Sequence, residues 1–358
     1  MEQRSHEREV RQLDPAWTLG ELMARIAKAL VSDGPALALS PISATTVHPR
    51  IALIVSTTGS SGIAKEVGLS AGALLSSAKA SNHYLGAELG STWSLLLPLN
   101  HIAGVNVLIR SLESGTTPTN LVGFEGRFPK VDFTSIVPTQ LYRALNGDDN
   151  LLEHLQGCRA VLVGGAALSG EMRSSAEAAG ITVIETYGSS ETSGGCVYNG
   201  TPLDGVDIKV DEQSRIAIGG KTLAHSYLNP ELVLQSADGW YYTSDFGQYA
   251  GGRLTVDGRI DDVVISGGEN VSLAAIDKLI SNHFPQIQAA SFAVADAQWG
   301  QAICCAIVGS DSSLESSIQE ILEQEIGVAA KIKKFIYVDQ LPLLGIGKID
   351  RAELGRRV

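Results

Sequence analysis

Short apolar runs separated by helical stretches constrain this chain more than any single residue. The runs at 51–55, 93–97, 120–124, 134–137, 159–163 and 181–184 are too short for buried helices and the right length for strands covered on both faces. Between them, residues 70–85, 104–113, 138–146 and 169–179 carry apolar side chains at helical spacing. Alternation of this kind buries sheets between helices, so a large layered α/β domain is expected.

The texture changes near residue 258. A helix over 272–283, an apolar strand pair over 289–308, a helix over 313–325 and a closing strand over 334–338 follow, without a long strand–helix–strand series. That pattern predicts a small α+β unit. The expected division is 1–260 for the large domain and 261–358 for the small one, within a 358-residue chain that is 44% hydrophobic and can bury two cores.

Charge and cysteine usage narrow the function classes. Thirty-nine acidic against 27 basic residues leave a net charge of -12, so the molecule as a whole does not attract nucleic acid. Any bound anion must meet a local site. Cys158, Cys196, Cys304 and Cys305 show no metal-ligand spacing and are too few for a disulfide scaffold, which fits a reducing cytoplasm. The charged opening MEQRSHEREVRQLD lacks the apolar stretch of a secretory signal. The most apolar window, 95–109, is interrupted by Pro98, Asn100, His101 and Asn106, so membrane insertion is not expected and the window reads as strand, turn and buried helix.

Four segments have the composition of a nucleotide site. Ser56-Thr-Thr-Gly-Ser-Ser-Gly-Ile-Ala-Lys65 offers turning backbone N–H groups, four hydroxyls and a mobile cation to a polyphosphate, although it is not a Walker A loop. Glu185-Thr-Tyr-Gly-Ser-Ser-Glu-Thr192 offers an aromatic face for a purine, a hydroxyl for a phosphate and a carboxylate for Mg²⁺. Asp245, in Gly239-Trp-Tyr-Tyr-Thr-Ser-Asp245, and Arg259, in Gly258-Arg-Ile-Asp-Asp262, can hold the hydroxyls of a ribose. Lys348 sits in Leu341-Pro-Leu-Leu-Gly-Ile-Gly-Lys-Ile-Asp-Arg351, a glycine-flanked loop that can bring its ammonium to developing negative charge. Taken alone, the segments are also compatible with a solvated turn, a buried tyrosine, a surface ion pair and a solvated lysine, respectively.

Taken in order, the phosphate loop, Leu97-Pro-Leu-Asn-His101, Tyr187-Gly-Ser-Ser-Glu191, Thr243-Ser-Asp245, Gly258-Arg-Ile-Asp-Asp262 and Gly347-Lys348 resemble the core motifs of the adenylate-forming superfamily. This superfamily contains acyl-CoA synthetases, nonribosomal adenylation domains and luciferases. The resemblance spans residues 51–351 and implies ATP, Mg²⁺ and coenzyme A. Acid and ATP first give an acyl-adenylate and pyrophosphate, and CoA then displaces AMP. It further implies that Thr57, Thr58, Ser60, Ser61 and Lys65 hold the β- and γ-phosphates, that Tyr187 with Gly188 packs on adenine, that Ser190 meets the α-phosphate and that Glu191 binds Mg²⁺. Asp245 and Arg259 would hold ribose. Lys348 would stabilise the pentavalent phosphorus, Asp261 would be the hinge of a cap that rotates between half-reactions, and Gly267 and Gly268 would line the pantetheine tunnel.

Two departures from the superfamily pattern stand out. Glu66 follows Lys65 where relatives usually carry glycine, which puts an acid beside the phosphate-loop lysine. The phosphate loop is also reached by about residue 57, so part of the usual N-terminal subdomain is expected to be missing, as in compact actinobacterial-type o-succinylbenzoate ligases.

The segments Leu97-Pro-Leu-Asn-His-Ile-Ala-Gly-Val-Asn-Val-Leu-Ile-Arg110 and Ser135-Ile-Val-Pro-Thr-Gln-Leu141 are similar to those of o-succinylbenzoate–CoA ligases of menaquinone synthesis. An arginine on an otherwise apolar helix is costly unless it meets an anion, and this acid keeps a free aromatic carboxylate while its succinyl carboxylate is activated. Arg110 is therefore the expected reader of that group, unless it caps its helix or pairs with Glu113. His101 is expected to orient the acyl group. Thr139, Gln140 and the Val163-Gly-Gly-Ala-Ala167 loop, with Gly165, are expected to shape the pocket. A ligase for another fatty, aryl or dicarboxylic acid, a stand-alone adenylation domain loading a carrier protein, and a non-catalytic nucleotide-binding module remain open, and a homo-oligomer is compatible with all of them.

Overall fold

The apolar run at 51–55 forms the strand Ile51–Thr58, which pairs antiparallel with Ala64–Ser70 on one side and parallel with Ala36–Ala38 on the other. In the computed structural model the described residues are 7–58, 64–266, 268–296, 299–310, 312–344 and 348–358. Among them, Ser226–Tyr227, Ala64–Ser70, Ile51–Thr58, Ala36–Ala38, Arg8–Gln12 and Thr46–Val47 make the first sheet, in that order.

The second sheet runs Thr201–Pro202, Gly194–Tyr198, Val183–Ser189, Ala160–Val163, Phe133–Ile136, Trp93–Leu95 and Thr119–Asn120. Its central strands are parallel, as expected for apolar runs joined by helices. The helices Ala71–Leu85 and Ile102–Glu113 pack on each other, and the main core, from Leu22 to Leu254, forms around them and the two sheets. A second core behind Ala160–Val163 and Phe133–Ile136 includes Leu141, Leu151 and Val163. The run at 120–124 departs from expectation. Its strand ends at Asn120, whose Oδ1 accepts from Val122 N at 3.1 Å, and Gly123 takes a φ of 70°. The side-chain bond and the left-handed glycine turn the chain out of the sheet.

A third sheet, Val206–Val210, Arg215–Gly220, Tyr241–Ala250 and Arg253–Arg259, brings the last two chemistry-bearing segments of the first 260 residues side by side. After it, Glu269–Ser272, Val263–Ser266, Gly300–Val308 and Ala289–Asp296 form a fourth sheet, with Lys334–Val338 added parallel to Gly300–Val308. The helices Leu273–His283 and Glu315–Glu325 contribute Ile276, Ile280, Ile318 and Leu322 to a separate core with Ile303 and Ile307. The molecule is therefore α/β with large layered sheets followed by a smaller α+β unit. Among the described residues no helix is long and apolar enough to cross a membrane.

Three helices, Leu19–Leu30, Asp149–Gly157 and Arg351–Arg356, lie outside the sequence expectation. Leu19–Leu30 begins at a capping box in which Thr18 Oγ1 accepts from Glu21 N and Glu21 Oε2 accepts from Thr18 N at 2.8 Å. Asp149–Gly157 is capped by Asp148. The charged opening also contains a buried element. Arg8, 9% exposed, donates to the carbonyls of Gly34, Ile51 and Ala29, satisfying its guanidinium within the strand and helix layer.

Candidate active site

The strand Val183–Ser189 runs directly into a tight 3-10 turn, Ser190–Thr192. Gly188 is required at that point by close approach: a Cβ there would collide with the carbonyl of Gly194 on the neighbouring strand. The ladder between these strands carries a bulge at Tyr187/Gly188, which redirects the chain just before the turn.

Tyr187 donates its hydroxyl to Asp245 Oδ2 at 2.7 Å. Burial, with the Asp245 charge added, pushes the Tyr187 hydroxyl pKa upward and keeps it a donor. Asp245 faces Arg259 across the third sheet as its register partner, with Oδ1 3.5 Å from an Arg259 guanidinium nitrogen. The ribose-type pair and the purine-type aromatic thus form one connected group.

Glu191 is 8% exposed, and its Oε1 accepts from Tyr227 OH at 3.0 Å. Lys65 Nζ lies 5.7 Å from the centre of that tyrosine's ring, within cation–π range. Tyr227 belongs to the edge strand Ser226–Tyr227, whose register partner is Val67 on the lysine's own strand. Tyr241 stands between the two groups: burial raises its pKa, and the charges of Glu191 and Asp245 both add to the rise. Ser190 is buried in the turn at 8% exposure.

Glu66 does not share a face with Lys65. Lys65 and Glu66 are consecutive in Ala64–Ser70, where successive side chains point to opposite faces, so the acid is directed away from the lysine. Thr57 is the register partner of Lys65, and its hydroxyl donates to the Lys65 carbonyl at 3.4 Å. Ser60, Ser61 and Gly267 lie outside the described residues, as do the side chains of Thr58, Asp261 and Lys348. The backbone of Lys348 begins the short strand Lys348–Ile349 opposite Leu343–Leu344, and Asp261 falls in the 3-10 turn Ile260–Asp262. Gly268 lies in the turn joining Val263–Ser266 to Glu269–Ser272.

The acyl-side residues divide into two groups. His101 is the N-cap residue of the helix Ile102–Glu113 without a side-chain cap bond, and burial lowers its pKa toward the neutral imidazole. Gly165 takes a φ of 84° beyond the strand Ala160–Val163, a conformation that suits glycine. Gln140, expected to shape a pocket, instead uses its carboxamide structurally: Oε1 accepts from Val137 N at 3.1 Å and Nε2 donates to Leu96 O at 3.0 Å. Thr139 is exposed at the first turn of Pro138–Leu145.

Arg110 is 4% exposed, and neither alternative expected for it holds. Glu113 pairs with Lys79 at 3.9 Å, and the guanidinium points inward to Ser135 Oγ at 3.3 Å and Tyr198 OH at 3.2 Å, over the Trp93 ring at 5.2 Å. Its Nε is buried without a partner, and among the described residues no carboxylate pairs with it. One turn earlier, Asn106 ties the helix to the nucleotide turn by donating to Ser193 O at 2.8 Å.

The family model described as AMP-binding enzyme matches residues 3–227. The chain belongs to the AMP-binding enzyme family. The model for the C-terminal domain of AMP-binding enzymes matches 275–348. Among the family's curated members, a probable 2-succinylbenzoate–CoA ligase of Mycobacterium tuberculosis is 38% identical over 330 residues, covering 87% of this chain and 85% of the relative. A 2-succinylbenzoate–CoA ligase of Lactococcus lactis is 28% identical over 338 residues, covering 88% and 73%. In fold, the chain is similar to an Escherichia coli MenE variant with bound OSB-AMS, with TM-score 0.73, 25% identity, and coverage of 89% of this chain and 71% of that one. Bacillus subtilis MenE in complex with AMP gives TM-score 0.71 at 25% identity, covering 85% and 69%.

Among the described residues of this AMP-binding enzyme, no group of three or more His, Cys, Asp or Glu is placed to hold a metal ion. The site does suit Mg²⁺ bound by one carboxylate and completed by phosphate oxygens and water, since Glu191 supplies a hard oxygen donor already fixed by Tyr227. Local motifs gave no signal for Tyr227 or Tyr198, nor for the contact of Ser135 with Arg110, because these contacts join separate strands and helices.

Proposed function

We propose that this chain is a 2-succinylbenzoate–CoA ligase of menaquinone synthesis. The succinyl carboxylate attacks the α-phosphorus of ATP, the bond to pyrophosphate breaks, and the sulfur of CoA then attacks the acyl carbon and releases AMP. No enzyme nucleophile takes part.

In this reading residues 1–260 bind nucleotide and acid, and 261–358 form a cap that carries Lys348 and pivots at Asp261. Tyr187 and Gly188 pack on adenine while Asp245 and Arg259 hold ribose, a role supported by their mutual contacts. Thr57, Thr58, Ser60, Ser61 and Lys65 take the outer phosphates, and Ser190 takes the α-phosphate. Glu191 would hold Mg²⁺, which supplies positive charge against the phosphates. Lys348 stabilises the charge that develops at phosphorus, and Gly267 and Gly268 leave room for pantetheine.

The observation that carries the substrate is Arg110. A guanidinium 4% exposed and, among the described residues, hydrogen-bonded to neutral hydroxyls and no carboxylate sits in a medium where an unpaired charge is costly. The spare aromatic carboxylate of 2-succinylbenzoate is the partner it lacks. His101, neutral and close to the start of the same helix, orients the acyl group.

The test is thioester formation with ATP, Mg²⁺ and CoA, comparing 2-succinylbenzoate with benzoate, succinate and a medium-chain fatty acid. Selective conversion of 2-succinylbenzoate, with AMP released in equal amount, is expected. Equal or better use of a monocarboxylic acid would return the chain to a ligase of different specificity, and AMP formation without a CoA requirement would point to a carrier-loading enzyme.

A further inference from the structure

We infer that Tyr198 and Ser81 position Arg110 for an anionic substrate group, holding the guanidinium in place without neutralising it. The inference rests on the proposed role of Arg110 and adds the residues that make such a receptor workable.

An arginine buried this deeply normally meets a carboxylate, which fixes its geometry and cancels its charge. Here Arg110 Nη2 donates to Tyr198 OH at 3.2 Å, and Tyr198 OH lies 2.8 Å from Ser81 Oγ. Both hydroxyl-bearing residues are fully buried. A tyrosine oxygen that accepts from arginine directs its single proton elsewhere, and Ser81 is the acceptor within reach. The order is therefore Arg110 to Tyr198 to Ser81, a run of neutral acceptors. Ser135 accepts from the other terminal nitrogen at 3.3 Å, and Trp93 presents its ring face to the guanidinium.

Location gives this arrangement its use. Tyr198 ends the strand Gly194–Tyr198, which leaves the nucleotide turn, and Ser81 lies in the neighbouring helix Ala71–Leu85. Asn106 and Arg110, one turn apart, attach the helix Ile102–Glu113 to the two ends of that strand, through Ser193 O and Tyr198 OH. The buried Nε without a partner marks unspent donor capacity on the same guanidinium. A carboxylate in place of any of these hydroxyls would anchor the arginine equally well and would compete with an anionic ligand.

The experiment compares 2-succinylbenzoate with 4-oxo-4-phenylbutanoate, the same acid lacking the aromatic carboxylate, in wild type, Tyr198→Phe and the Ser81→Ala/Tyr198→Phe double variant. In both variants KM for 2-succinylbenzoate is expected to rise about tenfold, with kcat and KM for ATP retained, so that the preference over 4-oxo-4-phenylbutanoate falls about tenfold. Equal losses with both acids, accompanied by a lower thermal midpoint, would mean that the pair serves only packing and would overturn the inference. An unchanged preference in folded variants would overturn it too. If wild type itself shows no preference between the two acids, the reading of Arg110 fails first and takes this inference with it.

Discussion

Glu191 accepts from Tyr227, and Lys65 lies over the ring of that tyrosine, so one aromatic side chain joins the carboxylate to the phosphate strand. Tyr227→Phe is expected to raise the Mg²⁺ concentration needed for half-maximal activity several-fold, and to weaken Mn²⁺ binding measured in the presence of ATP, because Glu191 loses the side-chain hydrogen bond that fixes its carboxylate. At Lys348 the expected effect is confined to one step. Lys348→Ala should lower adenylation by about 100- to 1000-fold, the usual cost of removing a preorganised charge stabiliser, yet still convert supplied acyl-adenylate to thioester. Equal loss of both half-reactions would contradict its assigned role. Tyr187, Glu191, Asp245 and Arg259 stood out in the sequence because their chemistry is packed into short motifs, and the structure brings Tyr187, Asp245 and Arg259 into mutual contact. Tyr227, 36 residues from its partner Glu191, was not, because no local pattern says which tyrosine an edge strand will deliver.

At the scale of elements, helix and strand spacing located the parallel strands of the second sheet and the helices between them, but not the third sheet, whose antiparallel strands carry no comparable apolar runs. The helix Leu19–Leu30 carries its start signal in Thr18 and Glu21, a capping box that a reading centred on apolar runs passes over. Sequence does not reveal that the Gln140 carboxamide is fixed by Val137 N and Leu96 O, contacts that only the folded chain brings together. The tight approach between Val183–Ser189 and Gly194–Tyr198 makes a further expectation concrete. Gly188→Ala must push a Cβ into the backbone of Gly194, at a cost of about 1–3 kcal/mol, read as a lower thermal midpoint together with weaker AMP binding. A variant with wild-type stability and affinity would show that this close packing is dispensable.

At the scale of the molecule, the later unit is organised around Arg351, which bonds Asp277 and Asp262 and donates to the carbonyl of Ser291. Asp262 belongs to the turn that follows the third sheet, and Arg351 lies three residues beyond Lys348 in sequence, so the two ends of the unit are tied at one point. Protonation acts on the whole fold as well. Burial lowers the pKa of His101, His154 and His225 in the folded state, so below about pH 6.5 the unfolded chain takes up protons that the folded chain resists. Thermal stability is expected to hold from pH 8 to 7 and to fall as pH drops below about 6.5; a rise on acidification would contradict these burial effects. The four cysteines are buried, and burial pushes the thiols of Cys158 and Cys196 up to about 12. They should therefore resist alkylation at neutral pH until the chain unfolds, as mass spectrometry would show.

The most direct test of adenylation specific for 2-succinylbenzoate is ATP–pyrophosphate exchange in the absence of CoA. With Mg²⁺ present, 2-succinylbenzoate should drive rapid exchange and 4-oxo-4-phenylbutanoate at the same concentration should drive little. No exchange with 2-succinylbenzoate, or equal exchange with both acids, would contradict the proposed chemistry or the proposed recognition, respectively.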